Sequence, residues 1–373
     1  MKRFIITIIL LLSGYGLGYW IGNLGFNPGE LVPLNASFGE VSLTVTIFLL
    51  LCLLSFASAI ILHEFGHLIG GLLSGYEFIS FRIGSLTLVH TTDGFKFKRY
   101  VIPGTLGQCL MMPSDPATKE NFKFILYNVS GGLCNILLAF LSLGLYFMVD
   151  QMYIQAFLLI NTLVYFVVGI TNLVPFSETI PNDGKNLLSL LKHQKVRFAF
   201  YHLLKMTGLQ YKGTILSEMP DDYFELELTD DDYSQALLMN LKANTILRLY
   251  EQNRFEDALS LQEDLMLHVD KFVPFLRFIV KRELIFTKII LNHELIDMDT
   301  IYDKEFKQFI QATRSVLDTA RFQYAYLLAT HDIEAANKQL QHFNQLLIDS
   351  PSCAEAQAET ELITKLQQHF NIV

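Results

Sequence analysis

The stretch LTVTIFLLLCLLSFASAIILHEFGHLIGGLLSG, Leu43 to Gly75, decides the fold. Its first part, Leu43 to Leu62, carries no charge and is long enough, at 1.5 Å per helical residue, to cross a hydrocarbon core about 30 Å thick. His63, Glu64 and His67 follow, and the apolar pattern then resumes with LIGGLLSG. Charged groups in such a segment cost on the order of 2–3 kcal/mol each unless they are paired, metal-bound or turned to water, so these residues mark a functional site. On a helix the two histidines lie one turn apart on one face. Both imidazoles can then reach one Zn2+, and Glu64 sits beside them to take a proton from the metal's water. Gly66, Gly70, Gly71 and Gly75 recur at one-turn intervals and would let another helix approach closely, for the site or for packing alone.

The rest of the chain agrees with a membrane setting. It has 373 residues, 51% hydrophobic and only 17% charged, with 30 phenylalanines and a mean hydropathy of +0.33. That excludes disordered, collagen-like and small disulfide-rich classes and implies that part of the chain is dissolved in lipid. A first apolar run, Phe4 to Ile21, follows Lys2 and Arg3 and has no A-x-A-like cleavage site after it, so it reads as an uncleaved anchor. Residues 22–41 contain no Lys or Arg and read as an outside loop. Two later runs, Phe122 to Val149 and Tyr153 to Pro175, are joined at Asp150-Gln151, which makes them antiparallel neighbours.

Lys and Arg gather in alternate connections: Lys2 and Arg3, then Arg82, Lys96, Lys98, Arg99, Lys119 and Lys123, then Lys185, Lys192, Lys195 and Arg197. The positive-inside rule predicts four spans, with the N-terminus and everything after residue 185 in the cytoplasm. The formal net charge of -9 says little about partners, and no nucleic-acid partner is expected. Cys52, Cys109, Cys134 and Cys353 have no metal or redox spacing and read as small core residues.

Between the second and third runs, FISFRIGSLTLVH and GFKFKRYVIPG are short β-like stretches separated at Thr92-Asp93-Gly94, which predicts a β-hairpin within residues 78–113. After residue 200 the sequence is of soluble type. EMPDDYFELELTDDD reads as an acidic linker or solvated face, and two long amphipathic patterns, starting at Gln235 and Arg321, read as helical hairpins. Their rhythm is similar to that of tetratricopeptide repeats without the Trp and Gly positions of that pattern. The expected fold is mainly α: a polytopic helical membrane domain with a short β-hairpin region and a cytoplasmic α-helical, TPR-like domain.

A hydrolytic zinc site needs a third protein ligand and one open position. Asp183, in Ile180-Pro181-Asn182-Asp183-Gly184, falls on the same side of the membrane as the histidines and could complete a His2Asp set. Asn-Asp-Gly is also a common turn, in which Asp183 would only cap a helix.

HEFGH in a span, followed by Asn172-Leu173-Val174-Pro175 closing a later span and then Asp183-Gly184, resembles the site-2 protease family of intramembrane zinc metalloproteases, peptidase family M50. Gly131-Gly132-Leu133-Cys134-Asn135 is similar to the family's G-x-x-x-N element in the intervening span. The likeness covers about residues 43 to 188. It implies zinc held by His63, His67 and Asp183, with Glu64 as the catalytic base. It also implies that Asn135 and Asn172 hydrogen-bond the substrate backbone or the oxyanion, interhelical hydrogen bonding being the alternative for both. The interval from Asn172 to Asp183 is longer than the family's usual one, which leaves Glu178 as the alternative third ligand, and there is no PDZ-like insertion.

The domains expected are therefore an anchor and outside loop (1–41), an M50-like core (42–190), an acidic linker (191–233) and a cytoplasmic helical domain (234–373). The function expected is hydrolysis of a peptide bond in or near a transmembrane segment of a membrane protein or peptide substrate in a bacterial cell membrane. By resemblance that substrate is an anti-sigma factor, a signal-peptide remnant or a peptide-signal precursor. Two other readings are a non-catalytic anchor whose helical domain binds a cytoplasmic protein partner, and a metal transporter. A transporter needs further ionisable residues in the other spans, which have essentially none.

Overall fold

The computed structural model describes Tyr19, Gly22 and residues 35–91, 94–175, 181–292 and 302–372. Among these residues are twelve α-helices and one four-stranded antiparallel sheet. The first predicted span, Phe4 to Ile21, lies outside the described residues apart from Tyr19.

Helix α1, Phe38–Leu73, starts at a capping box: Ser37 and Glu40 exchange hydrogen bonds, the Ser37 N–H donating to Glu40 Oε2 (2.7 Å) and the Glu40 N–H to Ser37 Oγ (3.3 Å). It ends at Gly75, whose φ of 81° is the left-handed conformation that favours glycine. α2, Phe124–Tyr146, and α3, Met152–Leu173, are the other two long apolar helices. All three are long and apolar enough to cross a membrane, which identifies a membrane protein. At 36 residues α1 is about 54 Å long, so it overruns a hydrocarbon core of about 30 Å or tilts within it.

The chain divides into two compact units, residues 1–66 with 131–171, and residues 67–130 with 172–373. In the first, Ala59, Ala139 and Tyr165 form a small packed centre with Leu62, Leu138, Val164 and Val168 around it. Phe48, Leu49, Leu53 and Leu137 lie on its outside, as apolar residues facing lipid do.

The second unit holds the sheet and the later helices. Strands β1 (Tyr76–Ile83), β2 (Leu86–Thr91), β3 (Gly94–Arg99) and β4 (Gly107–Pro113) are ordered β3-β2-β1-β4, all antiparallel. The predicted hairpin is thus one part of a larger sheet. FISFRIGSLTLVH reverses at Gly84-Ser85, pairing Ile83 with Leu86, and β4 returns to pair with β1. Thr92 and Asp93 lie outside the described residues, but β2 and β3 on either side do pair, from Thr91 with Gly94 to Leu86 with Arg99. Ser80, Arg82, Thr87 and Val89 are buried on one face. Arg82 donates to the carbonyls of Gly84 (2.8 Å) and Gly107 (3.3 Å), tying the strand ends together.

After α4, Asp183–Lys192, the segment read as the start of a linker forms α5, Gln194–Tyr211, with much of its surface buried. Gly208 of α5 lies against Met112, whose Sδ would be 2.5 Å from an added Cβ. The acidic stretch, Glu218 to Asp232, keeps most of its carboxylates exposed, as a solvated face does, while its Met219 and Phe224 are buried. Leu216 and Tyr233, which flank it, are also buried, and Lys195 pairs with Asp232 (3.0 Å), Arg248 with Asp221 (2.5 Å) and Lys271 with Asp230. The hydrogen bond and charge of Lys271 hold the Asp230 carboxyl below its ordinary range.

The remaining helices are α6 (Ala236–Glu251), α7 (Phe255–Leu267), α8 (Pro274–Ile290), α9 (Lys304–Ala312), α10 (Leu317–Ala329), α11 (Ile333–Asp349) and α12 (Cys353–His369). The pairs α6/α7 and α10/α11 turn the same way. Asn253 and His331 take φ of 58° and 61°, and the next N–H bonds back five residues, from Arg254 to Leu249 and from Asp332 to Leu327. A buried ion network crosses these helices. Arg321 bonds Glu359 (2.7 Å) and Glu283 (2.9 Å), and Arg282 bonds Asp318 and Glu283.

Candidate metal centre

α1 is uninterrupted through His63-Glu64-Phe65-Gly66-His67, so the two histidines hold their one-turn relation and all three ionisable residues are buried. The first histidine is met by α2: Asn135 Nδ2 lies 3.4 Å from His63 Nδ1, and Asn135 is fully buried. The second has its Nδ1 2.7 Å from the Tyr127 carbonyl, close enough to fix the ring and its tautomer and to leave Nε2 for another partner. Tyr127 is itself anchored, donating from its hydroxyl to the Cys109 carbonyl at 2.7 Å.

These contacts need a close approach of α1 to its neighbours. A Cβ on Gly70 would lie 2.1 Å from Ser130 Oγ and 2.9 Å from the Leu126 carbonyl. Gly70 thus allows the helix approach expected of the glycine spacing, whereas Gly71 lies against Met111 of β4 and Gly75 has no neighbour within 4 Å of an added Cβ.

Asp183 is the first residue of α4, and Asn182 is its cap. The Asn182 side chain accepts from the Lys185 N–H (2.9 Å) and donates to the Val174 carbonyl (2.8 Å), joining the start of α4 to the chain just after α3. Gly184 seats the same turn, since an added Cβ would fall 2.0 Å from the Leu173 carbonyl. Held in this way, Asp183 Oδ2 lies 3.2 Å from His67 Nε2.

Candidate ligand atoms of His63, His67 and Asp183 all lie within 4.8 Å of one another. Ligand atoms around a tetrahedral zinc, each about 2.0–2.1 Å from it, stand roughly 3.3 Å apart. The His67–Asp183 separation already has that value, and two imidazoles with one carboxylate are a donor set that zinc accepts. The residues therefore fit the ion.

Asn172 is half-buried in the last turn of α3, next to the carbonyls on which Gly184 rests, and is outside the three-residue group. Glu178, the alternative third ligand, lies outside the described residues. Sequence reasoning missed Tyr127, Asn182 and Gly184. Only Asn182, an Asx residue just before a helix, carried a readable signal. Comparison with protein-family models, with curated proteins and with solved structures returned no match to this chain.

Proposed function

We propose that this chain is a membrane-embedded zinc peptidase of the site-2 protease type, hydrolysing a peptide bond in or near a transmembrane segment of a membrane-anchored protein or peptide. The observation that carries the reading is the His63–His67–Asp183 donor group beside a buried Glu64 on an apolar helix. A bound zinc would polarise the scissile carbonyl and lower the pKa of water at the site.

The chain's own groups supply the rest. Glu64 takes a proton from the attacking water and returns it to the leaving amine. Asn135 and the Tyr127 carbonyl orient the two imidazoles, and Asn182 with Gly184 fixes the carboxylate. In this reading Asn172 bonds an extended substrate backbone, which a helix must expose before it can be cut. The same reading puts the helical region in the cytoplasm, following the alternation of Lys and Arg along the chain. The repeated turn of α6/α7 and α10/α11 supports a TPR-like character for it, and a cytoplasmic protein partner is part of the same proposal.

The test is zinc content by elemental analysis of detergent-purified wild type, Glu64→Gln and Asp183→Ala, beside cleavage of a model transmembrane substrate. Wild type is expected to hold about one zinc and to cleave, Glu64→Gln to keep zinc and lose cleavage, and Asp183→Ala to lose both. A wild type without zinc overturns the enzyme reading and leaves the membrane anchor with a docking domain.

A further inference from the structure

The three long helices carry polar residues in register well away from the metal centre. Around the packed centre Ala59, Ala139 and Tyr165, one helical turn toward the metal end brings His63 on α1 and Asn135 on α2. One turn the other way brings Ser55 on α1, Ser142 on α2 and Asn161 on α3, all three buried. One turn further, Tyr146 and Leu158 pack together with Leu159 in an apolar cluster that closes this end. A polar layer thus sits between two apolar ones in a segment made for lipid.

That layer is short of partners. Ser55 Oγ and Asn161 Oδ1 are sealed from solvent and have no hydrogen-bond partner among the described residues. A buried polar atom in a membrane interior is retained only when something satisfies it, and lipid cannot. Two serines with two alanines beneath them are the smallest side chains that could face one another there. The hydroxyls and the amide oxygen offer a small guest the several polar contacts that a buried water requires.

The neighbouring bonds give the layer a direction. Ser58 Oγ donates to the Ser55 carbonyl (3.0 Å) and lies 2.8 Å from the Tyr165 hydroxyl. Ser58 has one proton to give, so Tyr165 is the donor of the second bond and keeps acceptor capacity on its own oxygen. Asn135 Oδ1, at the metal end, is likewise sealed and has no hydrogen-bond partner among the described residues.

We propose that Ser55, Ser142 and Asn161 form a water-binding site inside the three-helix bundle, continued past the alanine layer by Ser58 and Tyr165 toward Asn135 and His63. The site holds internal water whether or not the chain is a peptidase, so its test is separate from that of the enzyme reading. If the chain is a peptidase, the same site is a reservoir of water at the depth where hydrolysis needs it.

The experiment is water-edited solid-state NMR on the full chain in lipid bilayers, with Asn and Leu isotopically labelled. Magnetisation transfer from water to the Asn161 side-chain amide is expected to build up faster than transfer to the lipid-facing Leu49 and Leu53 methyl groups. Transfer to Asn161 as slow as to those leucines overturns the proposal. Ser142→Val fills the layer without adding a polar atom and is expected to abolish the early Asn161 signal. Early transfer that survives Ser142→Val also overturns it, because the water would then lie elsewhere. The wild-type measurement decides the question even where the variant does not fold.

Discussion

His63 Nδ1 and Asn135 Nδ2 lie 3.4 Å apart with both residues buried, while Asn135 Oδ1 has no hydrogen-bond partner among the described residues. Turning the amide over exchanges its N and O, and Oδ1 then accepts from a protonated Nδ1. His63 Nε2 would then be the atom that meets the metal, and Asn135 Oδ1 gains a partner in the same step. Asn135 is then a positioning residue for a ligand. Asn135→Ala is expected to weaken zinc binding by about 10–100-fold, the usual effect of losing such a partner, and Asn135→Asp to restore most of it. Competition titration against a chelator measures both. Unchanged zinc affinity together with a raised KM would return Asn135 to the substrate role.

Gly184 is the tightest point in the approach to the metal group, with an added Cβ only 2.0 Å from the Leu173 carbonyl. Backbone on both sides cannot yield as a flexible side chain would, so Gly184→Ala must push α4 away from the end of α3. Overpacking of this kind costs about 1–3 kcal/mol, and here it moves Asp183 as well. The variant is expected to lose zinc at concentrations where wild type is saturated, while circular dichroism keeps its helical content. Retained zinc would mean that Asp183 is not held through this turn.

How much of this was legible depends on range. The HEFGH helix could be read because polar residues interrupt an apolar run, a contrast visible over twenty residues. Asp183 stood out only by its order after Asn172, and the division of labour between Asn182 as cap and Asp183 as neighbour of His67 was hidden, since either Asx residue suits either place. The Gly84-Ser85 reversal sat inside a run that looked continuous, and the pairing of β4 with β1 joins Ile83 to Gly107 across an interval that no local pattern records. In the acidic stretch the exposed carboxylates are legible as a solvated face, whereas the burial of Met219 and Phe224 beneath them depends on distant helices. Asn135 was found, but its burial against His63 is a tertiary fact.

Arg321 is fully buried between Glu283 and Glu359, with its guanidinium 3.9 Å from the Phe286 ring centre. Arg321→Leu leaves two buried carboxylates without their cation, and breaking a buried pair from one side costs about 3–5 kcal/mol. The loss is expected as a drop in hydrogen-exchange protection across α8, α10 and α12, with zinc content unchanged. Protection equal to wild type would show that the network relaxes by admitting water.

Glu355, on the first turn of α12, is pushed up to about 8 by burial, with Asp318 and Glu359 adding to the rise and Arg282 opposing it. A carboxyl that holds its proton more tightly when folded binds more protons in the native state than in the unfolded one between the ordinary carboxylate value, about 4.3, and that raised value. Stability contributed by the neutral form is therefore complete below about pH 4 and falls as pH rises toward 8. Hydrogen-exchange protection of α10 and α12, corrected for intrinsic rates, is expected to decline from pH 5 to pH 8 in wild type. Glu355→Gln fixes the neutral form and should flatten that decline. A wild-type profile as flat as that of the variant would show that Glu355 is already ionised in the folded protein, with Arg282 outweighing burial.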